Sequence, residues 1–216
     1  MCVILYKQKG DKISQESLKL MATANPHGIG AAYLEGNLWR IKKGLTVKLL
    51  TELLYDYDNV IAHFRLATSG IIGNTMCHPF LLSKNVRDCT AKNTYGKCII
   101  AHNGIVSNYG NNNISDTVDF ITNVMCKLAT TEDVLKLCKA IGSKWIITDG
   151  KDVHLIGHFE RLDIGLVSNT HWRIPKVTQP TKIVWNNYNW SNELDSRYNL
   201  NSYTYTKSIG DKDNES

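Results

Sequence analysis

The stretch KWIITDGKDVHLIG, from Lys144 to Gly157, sets two apolar runs on either side of an Asp-Gly pair. Asp-Gly tolerates the left-handed backbone of a two-residue hairpin turn, so the pair Asp149–Gly150 is the strongest short-range hairpin signal in the chain. A sequence that must form this hairpin contains antiparallel sheet. GIGAAYLEGNLWRIKKG repeats the pattern around Glu35-Gly36-Asn37, and MCVILY, NVIAHFRLATSG, KCIIAHNG and IGLVSNT read as further extended segments.

Helical signals lie between the strands. Ile13 to Ala24 carries apolar residues at 13, 18, 20 and 21 behind a serine cap, and GLTVKLLTELLYDY spaces leucines at 45, 49, 50, 53 and 54. SDTVDFITNVMCKLATTEDVLKLCKAIG holds two more helices. Ser115 or Asp116 caps the first; Thr131 with Glu132-Asp133 starts the second, and Gly142 ends it. Residues 71–96, rich in Asn, Thr, Gly and charge, read as loop. Strands at both ends with helices between them predict a layered α+β protein.

At 216 residues, 43% hydrophobic and 21% charged, the chain fits one globular domain. Its net charge of +5 comes from 25 basic and 20 acidic residues spread without a basic block, so nucleic acid is not indicated as a partner. No run approaches the ~20 apolar residues of a membrane span, and no secretory signal opens the chain. The expected location is cytoplasmic, with no membrane partner. Six cysteines contain no C-x-x-C pair, and the histidines lack ligand spacing, so neither zinc nor any other metal is expected.

Four stretches stand apart: MC at residues 1–2, HFRLATSG at 63–70, AHNG at 101–104 and SDT at 115–117. Taken singly, they are a buried thiol, an edge arginine, a turn and a helix cap. In this order, together with NPHGIGAAY, NTMCHPF and SNT at 168–170, they resemble the glutaminase domain of class II glutamine amidotransferases, which are N-terminal nucleophile hydrolases. The resemblance runs from Cys2 to about Thr170. It implies a four-layer αββα sandwich of two antiparallel sheets and a glutaminase domain over 2–171. Residues 172–216 are expected as an extension packing on the same domain, and the polar composition of the last residues predicts a frayed tail.

The resemblance also assigns roles. Once Met1 is removed, Cys2 is the nucleophile and its α-amine the base. An amine with a pKa of ~7.7–8.0 is better poised at neutral pH to take a proton than a thiol of ~8.5 is to lose one unaided. The Asn103 carboxamide and the Gly104 N–H hold the oxyanion. Arg65 forks onto the carboxylate of free L-glutamine, Asp116 pairs with its ammonium, and Thr68 and Ser69 shape the carboxylate pocket. No cofactor is implied. Leu66, Ser69 and His27 depart from the residues common in sugar-amidating relatives, which leaves the ammonia acceptor open.

Three functions follow from these residues. In the first, glutamine becomes glutamate and ammonia through a Cys2 γ-glutamyl thioester, and the ammonia passes to a separate synthase subunit. In the second, the chain is a stand-alone amidase on glutamine or a γ-glutamyl compound. In the third, it is a catalytically silent interaction module that uses the Tyr/Trp/Asn-rich segment 183–205 as a contact surface.

Overall fold

The computed structural model of the chain describes residues 2–173. The expected C-terminal extension from residue 174 onward, including the aromatic segment 183–205, lies outside the described residues.

Eleven strands and five α-helices follow one another as β1 (Val3–Lys7), α1 (Gln15–Ala24), β2 (Ile29–Glu35), β3 (Leu38–Lys43), α2 (Val47–Asp56), β4 (Val60–Phe64), β5 (Phe80–Leu81), α3 (Val86–Thr90), β6 (Asn93–Gly96), β7 (Ile99–Asn103), α4 (Asp116–Asn123), α5 (Thr131–Ile141), β8 (Lys144–Asp149), β9 (Asp152–Ile156), β10 (Glu160–Leu162) and β11 (Gly165–Val167). Local chemistry sets the helix starts. The hydroxyls of Ser14, Thr46, Ser115 and Thr130 accept from the backbone N–H three residues on, each cap worth ~1 kcal/mol. The last cap is Thr130, and α5 starts at Thr131 as expected. The hairpin of β8 and β9 pairs Asp149 with Asp152, and Gly150 takes a φ of 61° at its turn.

All strand pairing is antiparallel and forms two sheets. The larger has the order β10-β11-β1-β4-β2-β3-β6, and the smaller β5-β7-β8-β9. Alternation along each strand sorts side chains between faces. Val3 and Leu5 of β1 join Leu18 and Met21 of α1 and Leu50, Leu53 and Leu54 of α2 in one cluster. Ile4 and Tyr6 face the other way, with Ala32, Trp39, Ile41 and Ile61, against Ile99, Ala101 and Ile146 of the smaller sheet. Ile100, Trp145 and Ile147 pack their opposite face on Val118 and Ile121 of α4 and Val134 and Cys138 of α5. At ~1.5–3 kcal/mol for each large apolar side chain taken from water, these clusters rather than the caps hold the sheets together. Trp172, the first residue of the expected extension, is buried in the first cluster.

Residues 71–96 differ from the expected loop. They contain a 3-10 turn (Asn74–Met76), β5, α3 and β6. The physical reason is that β5 and β6 are short and carry no apolar alternation; their order comes from pairing with β7 and β3. A buried lysine adds to it. Lys43 Nζ donates to the carbonyls of Thr75 (3.2 Å) and Cys89 (2.9 Å), tying both segments to the end of β3. Burial pushes its pKa down to about 7. Strand β10 is a further element that the sequence pattern does not announce.

Candidate active site

Cys2 is fixed by the strand that follows it. β1 lies between β11 and β4, with Val3 opposite Phe64, and the Asn169 side-chain amide donates to the Cys2 carbonyl at 2.7 Å. Its thiol is half-buried. Sγ receives the Leu66 N–H at 3.2 Å and lies 3.3 Å from the Leu66 carbonyl. Burial raises the thiol pKa above its ordinary value, opposed by the Leu66 contact and the positive charge of Arg65.

β4 runs on through Arg65, whose N–H donates to Gly28 at 2.9 Å while its carbonyl accepts from His27 at 3.0 Å. The Arg65 side chain turns back under the segment that follows. Its two terminal nitrogens donate to the carbonyls of Ile71 (2.7 Å) and Ser69 (2.9 Å), and only 3% of the residue is exposed. A guanidinium offers five N–H donors in a planar fork, so three remain beyond these bonds. His27, which the sequence marks only as a departure, accepts the Ala67 N–H on Nδ1 at 2.8 Å and so supports the same turn.

Asp116 opens α4, where a carboxylate is favoured by the helix dipole. Its Oδ2 accepts from Val106 N–H at 2.7 Å, and its Oδ1 from Thr117 N–H at 2.8 Å. Two longer contacts reach Oδ1, from the hydroxyls of Ser69 (3.3 Å) and Thr117 (3.4 Å), while Ser69 Oγ also accepts the Asp116 N–H at 3.0 Å. Every donor to this buried carboxylate is neutral. Among the described residues, Arg65 and Asp116 form no ion pair with each other or with any other side chain.

Asn103 ends β7 and Gly104 follows it. The Asn103 carboxamide donates to Ser168 Oγ at 2.8 Å, and the same hydroxyl accepts from Ile4 N–H at 2.9 Å, so Ser168 joins the smaller sheet to β1, the strand that follows Cys2. A side chain at Gly104 would force its neighbours to shift. A Cβ would overlap Ser143 Oγ and stand 2.7 Å from His102 Nε2.

One cavity is lined by Cys2, Arg65, Leu66, Thr68, Ser69, Gly104 and Asp116, together with His78, His102 and Thr117. The structure thus gathers six of the seven residues singled out in the sequence around one space, and Asn103 stands just outside its lining, turned to Ser168. The open room is about 20 Å³, enough for roughly one water. Thr117, Ser168 and Asn169 are additions. SDT and SNT contain them, but nothing in the sequence gives their partners. A larger depression of about 600 Å³ over Tyr33, Arg40, Lys42 and Tyr95 is lined by neither cysteine nor serine, and Arg40 there is already paired with Glu35 at 2.7 Å.

Three buried histidines stand beside the cavity. His63 and His78 stack at 4.3 Å, His78 Nδ1 accepts the His102 N–H at 2.9 Å, and His102 stacks on Trp145 at 3.7 Å. Burial holds all three neutral: His63 and His102 are lowered to about 3, and His78 well below its ordinary value. Among the described residues no cluster of His, Cys, Asp and Glu is arranged for a metal ion, all six cysteines are free, and no helix is long and apolar enough to cross a membrane.

Comparison with protein-family models and with curated proteins returned no match.

Proposed function

We propose that the chain is a glutamine-hydrolysing enzyme of the N-terminal nucleophile type, acting through Cys2 after removal of Met1. One observation carries this: Arg65 and Asp116, each less than a tenth exposed, border the same cavity as the Cys2 thiol without neutralising one another. Buried charges are costly unless paired, and a cation and an anion left separate complement the carboxylate and ammonium of a free amino acid. A thiol within the same cavity is placed to meet that amino acid's side chain. The succession of helices, large sheet, small sheet and helices supports the four-layer αββα arrangement of these hydrolases.

In the proposed reaction the liberated Cys2 α-amine takes the thiol proton, directly or through one water, and the sulfur attacks the glutamine amide carbon. The Gly104 N–H stabilises the oxyanion, and Asn103 joins it by turning one amide hydrogen from Ser168. The amine then returns the proton to the departing nitrogen, ammonia leaves, and water cleaves the γ-glutamyl thioester to glutamate. Room for about one water does not hold glutamine, so the segment Thr68–Ile72 moves aside on binding. Ile71 and Ile72 are exposed, so what opposes that movement is the hydrogen bonding of the Ser69 and Ile71 carbonyls to Arg65 and of Ser69 to Asp116, rather than apolar burial.

Transfer of the ammonia to a separate synthase subunit belongs to this proposal. Glutamate release from L-glutamine by the purified Met1-free protein tests its core: the wild type releases glutamate and Cys2→Ala does not. Equal release by both removes the thiol from the reaction.

A further inference from the structure

His102 precedes Asn103 at the end of β7, with Gly104 just beyond, and its ring touches the two halves of the site at once. Its Nδ1 lies 3.0 Å from Thr117 Oγ1, whose hydroxyl reaches Asp116 Oδ1 at 3.4 Å while the Thr117 N–H holds the same oxygen at 2.8 Å. Its other edge lies against Gly104, where a Cβ would stand 2.7 Å from Nε2. Trp145 covers one face of the ring at an interplanar angle of 11°, and 2% of the residue is exposed.

The hydrogen bonds select one tautomer. Among the described residues, buried Nε2 has no partner, so a proton there would leave an N–H unsatisfied. A carboxylate only accepts. The one order that satisfies all three groups runs from Nδ1–H to Thr117 Oγ1, and from the Thr117 hydroxyl to Asp116 Oδ1. An imidazole in this state donates at one end only.

We infer that His102, held as its neutral Nδ1–H tautomer, is a positioning residue that turns the Thr117 hydroxyl onto Asp116 and so fixes the carboxylate that receives the substrate ammonium. It acts through Thr117 and does not itself touch glutamine. The inference rests on the glutamine-hydrolysis proposal for its consequence, but not for the tautomer.

Two variants separate this role from packing. His102→Phe keeps a ring on Trp145 and loses the donor; His102→Asn loses the ring and keeps an amide N–H at the position of Nδ1. The glutamine KM of His102→Phe should rise about tenfold, the size of one lost hydrogen bond, with kcat changed far less. His102→Asn should restore KM to within about threefold of wild type at whatever stability it has. Long-range 1H–15N correlation spectra of the full chain should show Nδ1 protonated and Nε2 bare from pH 5 to 9. An Nε2–H tautomer, an unchanged KM in His102→Phe, or equal KM defects in the two variants would overturn the inference. A wild type inactive on glutamine but carrying the Nδ1–H tautomer would sink the functional proposal and leave the hydrogen-bond assignment standing.

Discussion

The backbone nitrogen of Leu66 stands 3.2 Å from Cys2 Sγ, so the segment that follows Arg65 also solvates the sulfur. An N–H aimed at a thiolate favours the charged form, but burial outweighs it here and leaves the thiol pKa raised. With Met1 in place the sulfur is therefore mostly protonated at neutral pH. Alkylation of Cys2 by iodoacetamide at pH 7 should be slow in protein that retains Met1 and several-fold faster once the α-amine is free. Equal rates, followed by peptide mass spectrometry, would show that the amine does not activate the thiol.

Arg65 has two tasks that one substitution separates. Arg65→Ala removes the cation proposed for the glutamine carboxylate and also strips the carbonyls of Ser69 and Ile71 of their donors. Glutamine KM should rise ~10–100-fold, as expected for a charged hydrogen bond of ~1.5–3 kcal/mol, and amide exchange across residues 69–72 should accelerate. Arg65→Lys should rescue little, because a point charge cannot serve two carbonyls and a carboxylate with one planar fork. Wild-type KM with fast exchange would leave Arg65 a purely structural clamp.

Gly104→Ala tests the oxyanion side. The added methyl would collide with Ser143 Oγ and press on the edge of His102, displacing the backbone N–H proposed to hold the oxyanion. A fall of ~100-fold or more in kcat, with a smaller change in KM, is expected for loss of one preorganised donor. Steady-state kinetics on glutamine reads it, and a kcat within about twofold of wild type would remove Gly104 from that role.

Stability should fall in acid because of the buried histidines. His63 is fully buried, both its ring nitrogens lack partners among the described residues, and its pKa is lowered to about 3. An unfolded chain takes up that proton near pH 6.5, whereas the folded chain resists it until about 3, so stability is lost as pH drops through that window. His63→Leu deletes the titrating ring without breaking a hydrogen bond. Its melting temperature should therefore decline less steeply than that of the wild type between pH 6.5 and 4.5, as scanning calorimetry would show. Parallel slopes would mean that His63 does not resist protonation.

How much of this was legible in the sequence depended on how local each cause is. β1, the β2–β3 and β8–β9 hairpins and the capped helices carry their own turn, cap and alternation signals. β5, α3 and β6 are too short for periodicity and are held by β7, β3 and the Lys43 ammonium from outside. At the site, Cys2, Arg65, Thr68, Ser69, Gly104 and Asp116 could be singled out only because the short stretches that hold them form a resemblance when taken together and in order, none being distinctive alone. Their supports could not. His27 under Ala67, Thr117 between His102 and Asp116, and Ser168 between Ile4 and Asn103 act across long chain separations and leave no local trace. The carboxamide of Asn103, expected to face the oxyanion, is turned to Ser168, an arrangement fixed by the meeting of β7 with β1 rather than by the Asn-Gly pair.

Direct detection of the covalent intermediate tests the central claim. Met1-free protein quenched in acid within its first turnover with L-glutamine should show a γ-glutamyl adduct by intact mass, mapped to Cys2 by peptide fragmentation and absent from Cys2→Ala. Release of glutamate with no adduct on Cys2, or a Cys2→Ala protein that still turns glutamine over, would contradict the account.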